Sequence, residues 1–185
     1  MKIKSFFIGL LFFILSFPVN AEPDLEGHRK LWNTIKSLGI DVYVNDPKCF
    51  IDGERIIHGR YSHQYKKLYV CQEDGSDGKN HSWSLDDYDT LRHEGHHIVQ
   101  DCSVGDIGDG SASTIFDNKS LGEFIKKSKI PSETLMKIIL SYISRGAPNS
   151  VTMMELEAYA TAYTIPPEDI ANKIIEFCKN KKMSK

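Results

Sequence analysis

Between Ser84 and Cys102 two kinds of residue share one stretch of chain. Tyr88, Leu91, Gly95, Ile98, Val99 and Cys102 recur at helical spacing, while His93, His97 and Gln100 fall on roughly the opposite side. A helix separates these sets and a strand does not, so the stretch is predicted to be an α-helix with one apolar face and one histidine-bearing face. Ser84 and Asp87 supply a capping box at its start. Any fold open to the chain must therefore cover the apolar face with a core while the histidine side stays separate from it. Gly95 sits in the apolar stripe, where it costs about 1 kcal/mol of helix propensity relative to Ala, and predicts a close backbone approach.

The rest of the chain is organised around this helix. His28, Leu31, Trp32, Ile35 and Leu38 predict an amphipathic helix between Asp24 and Gly39. Short β-type stretches follow at Asp41–Val44, Cys49–Asp52, Arg55–His58 and Lys67–Cys71, divided by turn signals such as Asp52-Gly53. The polar run Glu73–His81 reads as a surface loop. Beyond Cys102, Ser103–Ser113 reads as a glycine-rich loop, and three more helices are expected over Ser132–Arg145, Ser150–Tyr163 and Pro167–Asn180. The predicted class is α+β, a small antiparallel sheet followed by a mostly helical region. One domain spans residues 22–185, with the first helix and sheet in 22–83 and the helical part in 84–185.

Residues 1–21 carry Lys2 and Lys4, an apolar run from Phe6 to Phe17, and Val19-Asn20-Ala21 at the end. This is the pattern of a secretory signal peptide cleaved after Ala21, and the run is shorter than the roughly 18–20 residues needed to span a bilayer. The mature chain is expected to be secreted or periplasmic, with no stable membrane anchor. Cleavage removes two lysines and no acid, which takes the formal charge from −2 to −4. Such a balance argues against a nucleic-acid partner, whose phosphates would call for a basic excess. In an oxidising compartment the four cysteines are expected to pair, Cys49 with Cys71 and Cys102 with Cys178.

Residues 93–97 read His-Glu-Gly-His-His, an H-E-x-x-H motif. On a helix His93 and His97 project about 40° apart, a geometry that holds a metal ion with two imidazoles. Glu94 points about 100° round, placed to take a proton from a metal-bound water without occupying the metal. His96 flanks this pair and is read as structural or exposed. A catalytic zinc needs a third protein ligand. A metzincin arrangement would require Gly at position 100 and His at 103, where Gln100 and Ser103 stand. The segment Met153-Met154-Glu155-Leu156-Glu157-Ala158-Tyr159-Ala160 offers two acids in an otherwise apolar helix, and a buried carboxylate needs a charged partner.

In these two motifs the chain resembles the small zinc metallopeptidases of the gluzincin type, in which H-E-x-x-H on one helix is followed by E-x-E-A or E-x-x-A on a second. His93, Glu94, His97, Glu155, Glu157 and Ala158 carry the resemblance. It implies Zn2+ held by His93, His97 and Glu155, with Glu157 as the alternative third ligand, and Glu94 as general base and then general acid. It further implies a peptide or protein substrate lying along an edge strand of the sheet. The acid that such enzymes place four residues past the glutamate ligand is Tyr159 here, or Thr161 if counted from Glu157. That departure motivates the alternative of a non-catalytic secreted metal-binding or partner-binding module. A third possibility is a latent peptidase whose cleft is covered by the glycine-rich loop from Ser103. Tyr159, Tyr163 and His81 are candidates for stabilising an oxyanion, Gln100 for orienting a ligand, and Tyr61, Tyr65 and Tyr69 for sheet packing.

Overall fold

The computed structural model describes residues 23–179. The leader expected over residues 1–21 and the lysine-rich end beyond Lys179 lie outside the described residues. Helix α1 (Leu25–Ser37) opens on Asp24, whose Oδ1 accepts from Gly27 N at 2.8 Å, and closes before Gly39, whose φ of 75° favours a residue without Cβ. There follow β1 (Asp41–Val44), β2 (Phe50–Ile51), β3 (Glu54–Arg55), β4 (Gly59–Ser62) and β5 (Lys67–Val70). Five helices complete the chain: α2 (Leu85–Val104), α3 (Asn118–Ser128), α4 (Ser132–Ser144), α5 (Asn149–Thr164) and α6 (Pro167–Lys179).

The fold is α+β, and its main sheet is mixed rather than antiparallel. Strand order is β1-β5-β4: β1 runs parallel to β5 with Tyr43 opposite Tyr69, and β4 runs antiparallel to β5 with Tyr61 opposite Leu68. The parallel pairing is possible because the chain passes through the β2–β3 hairpin and β4 before returning, a connection too long to be a tight turn. Strand β4 was not anticipated. Only Tyr61 of its four residues is buried, too little alternation for a period-two signal. Helix α3 was also missed, since Gly122 interrupts its short apolar pattern of Leu121, Phe124 and Ile125.

Helix α2 lies at the centre, packed against α1, α5, α6, β4 and β5. Its apolar stripe contributes Leu91, Ile98 and Val99 to a core shared with Leu31 and Ile35 of α1, Leu68 of β5 and Ile174 of α6. The capping box is present: Ser84 Oγ accepts from Asp87 N and Asp87 Oδ2 accepts from Ser84 N at 2.7 Å. At Gly95 the close neighbours are side chains and not backbone. A Cβ there would lie 3.3 Å from Leu31 Cδ1 and 3.5 Å from Ile170 Cγ2. Both expected disulfides form. Cys49–Cys71 ties the hairpin to the end of β5, and Cys102–Cys178 fastens α6 to α2. Loop closure over 22 and 76 residues assigns them about 3 and 4.5 kcal/mol. Among the described residues no helix is long and apolar enough to cross a membrane.

Candidate metal centre

Helices α2 and α5 bring His93, His97 and Glu155 together as a group able to hold a metal ion, with one ligand atom from each within 4.8 Å of the others. His93 Nε2 lies 3.1 Å from His97 Nε2, Glu155 Oε2 lies 3.2 Å from His93 Nε2, and Glu155 Oε1 lies 3.5 Å from His97 Nε2. A tetrahedral ion with bonds of about 2.0–2.2 Å sets its ligand atoms roughly 3.3–3.6 Å apart. The two imidazole nitrogens and the carboxylate come within a few tenths of an ångström of that spacing, Oε2 making the contact to His93 and Oε1 the contact to His97.

Hydrogen bonding prepares His97 as a ligand. Gln100 Nε2 donates to the Met154 carbonyl at 3.0 Å and to Glu157 Oε1 at 3.3 Å, which leaves Gln100 Oε1 as an acceptor. His97 Nδ1–H donates to it at 2.7 Å, so Nδ1 carries a proton and Nε2 is the nitrogen turned toward His93 and Glu155. His93 is oriented by packing instead, with its ring 4.4 Å from that of Tyr159 and its buried Nδ1 without a partner. Burial alone would lower the pKa of His97, but the Glu155 carboxylate outweighs it and raises the group to about 9. Burial likewise opposes ionisation of Glu155, yet His97 and His93 hold its carboxyl below the ordinary range.

Glu157, the alternative third ligand, is not part of this group. It is wholly buried and accepts from His96 Nε2–H at 2.7 Å, from the Ile115 amide at 3.0 Å and from the Phe116 amide at 3.3 Å. Two residues along a helix turn a side chain through about 200°, which sends Glu155 and Glu157 to different neighbours. His96, expected to be structural or exposed, is the structural partner of Glu157 and is 1% exposed. Burial pushes the His96 pKa down, which suits a neutral ring donating from Nε2.

Glu94 is buried between α2 and the outer edge of β4. Cys71 N–H donates to the His58 carbonyl at 2.8 Å, so antiparallel alternation turns the Tyr61 amide away from β5, and Glu94 accepts it. Gly59 allows this approach, because a Cβ there would lie 2.9 Å from Glu94 Oε1 and 2.4 Å from Thr90 Cγ2. One outward amide of the β4 edge, that of Tyr61, is thereby engaged. Burial drives the Glu94 pKa up against the pull of His93 and His97.

The remaining candidates separate clearly. His81 bonds Asp77 on the surface loop, and Tyr163 is half-buried in the last turn of α5. Tyr65 is 66% exposed, whereas Tyr69 stacks on Tyr43 and the Tyr61 hydroxyl donates to Asp101 Oδ2 at 2.7 Å. The glycine-rich loop is tied back to the end of α2, with Gly108 N–H on Asp101 Oδ2 and Ser113 N–H on the Gln100 carbonyl. Two residues near the site escaped the sequence reading. Tyr142 of α4 hydrogen-bonds Glu155, and burial and that carboxylate push its phenol pKa up. His63, just past β4, lies edge-on to His97 with ring centroids 6.3 Å apart. Neither residue belongs to a motif, and no periodic signal marks either one. No family model matches this chain, and neither the curated proteins nor the solved structures give a match.

Proposed function

We propose that the chain is a secreted zinc metallopeptidase of the gluzincin type, with His93, His97 and Glu155 as zinc ligands and Glu94 as general base and then general acid. The observation that carries this reading is the gathering of one ligand atom from each of His93, His97 and Glu155 within 4.8 Å of the others, with the two imidazole Nε2 atoms 3.1 Å apart. Zinc is favoured over harder cations by two imidazoles and a single carboxylate. When bound, it would supply Lewis acidity to a peptide carbonyl and acidify a water molecule.

The protein's own groups then account for the proton transfers. Glu94, held by the Tyr61 amide, takes the proton of the attacking water on its carboxylate and delivers it to the leaving amine nitrogen. Its upward pKa shift brings it nearer the working range of such a shuttle. Gln100 keeps the His97 lone pair on Nε2, and Tyr142 braces Glu155. Two disulfides support export to an oxidising compartment, in line with the leader over residues 1–21.

A metal-binding module without turnover is the second reading, favoured by the buried His93 Nδ1, which lacks the carboxylate that commonly backs a ligating histidine. The test is elemental analysis of the mature chain together with hydrolysis of a peptide library. One zinc per chain is expected, with cleavage that falls about 10²–10⁴-fold in Glu94→Gln while zinc is retained. Zinc without turnover would select the second reading, and a folded chain that takes up no zinc would refute both.

A further inference from the structure

We propose that His63 is a catalytic residue of this site, a hydrogen-bond donor to the oxygen of the scissile carbonyl as negative charge gathers on it. The role rests on the metallopeptidase reading and adds to it a residue from outside both motifs. His63 follows β4 directly, two residues beyond Tyr61. The Tyr61 ring is anchored through its hydroxyl to Asp101 at 2.7 Å, and the His63 imidazole stands edge-on to it with centroids 5.2 Å apart. The imidazole is thus held by a fixed neighbour on the sheet side of the metal group.

From there it faces the site. Its ring lies edge-on to His97 at 6.3 Å, and it interacts electrostatically with Glu155. Yet His63 contributes no atom to the cluster of donors within 4.8 Å of one another, so it stands beyond the ligands. Its Nε2 is buried and has no hydrogen-bond partner. Buried polar atoms are nearly always paired, so an unmade bond beside a metal group marks a place for a ligand atom. With its proton on Nε2 the ring donates to that atom, and no proton has to be transferred.

The test uses the full mature chain loaded with zinc and methylphosphonate, a small tetrahedral oxyanion without side chains to be selected. Affinity is measured by calorimetry for wild type, His63→Ala and His63→Gln, with zinc content determined in each. His63→Ala is expected to keep one zinc and to bind methylphosphonate about tenfold or more weakly, as for a lost bond to a charged group. His63→Gln, which keeps a donor, should recover most of that loss. Equal affinity in wild type and His63→Ala overturns the role, and so does zinc-loaded wild type that does not bind methylphosphonate. A wild type without zinc instead overturns the metallopeptidase reading, and this role with it.

Discussion

Helices α2 and α5 meet through two sets of histidine and glutamate that differ little in composition and greatly in surroundings. His96 and Glu157 are 1% and 0% exposed in their side chains, and the carboxylate is saturated by an imidazole, an amide side chain and two backbone N–H groups. Glu155 keeps 17% exposure and is met by His93, His97 and the Tyr142 phenol. The first pair is a strut, because every strong acceptor direction is already filled. The second brings one possible ligand atom from each of three residues within 4.8 Å of the others. A histidine–glutamate contact therefore becomes a candidate metal site only where the protein withholds enough donors to leave coordination free.

Removing each glutamate should break this comparison in opposite ways. Glu155→Ala is expected to take zinc from one per chain to none and to lower the melting temperature of the zinc-free chain less than Glu157→Ala does, as read by elemental analysis and calorimetry. Glu157→Ala leaves His96 and two buried amides without their acceptor and should destabilise the fold by about 3–5 kcal/mol in urea titrations. Equal effects from the two variants would abolish the distinction.

A smaller effect sharpens the link between the two sets, because Gln100 touches both. Gln100→Leu removes the acceptor that sets the His97 tautomer and should weaken zinc binding about 10–100-fold in chelator competition. Unchanged affinity would mean that packing alone orients His97. The smallest change lies on the opposite face of α2. Gly95→Ala gains up to about 1 kcal/mol of helix propensity against a slight displacement of the flexible Leu31 end, so thermal stability should hold or rise while zinc affinity stays the same. A clear loss of stability would show that this face cannot yield.

Much of the fold was legible because its determinants are local. The Asp24 and Ser84 caps, the apolar stripes of α1 and α2 and the turn signals around the strands each act within a few residues. The His93–His97 pair was equally legible, since four residues on a helix determine its relative direction. Strand β4 and helix α3 were not, as their patterns are short and their stability comes from neighbours. The parallel pairing of β1 with β5 was also hidden, because strand direction depends on where the chain returns.

The sequence by itself determined a helix with a core face and a histidine-bearing face, a second helix with two acids, and cysteines able to staple both parts. Tertiary structure decided which acid meets the histidines, that Gln100 sets one imidazole, that Tyr61 holds Glu94, and that Tyr142 and His63 stand at the site. Local periodicity sets where side chains point around their own helix axis. The rotation of one helix against another, and the meeting of residues from distant segments, is set by packing of the whole core.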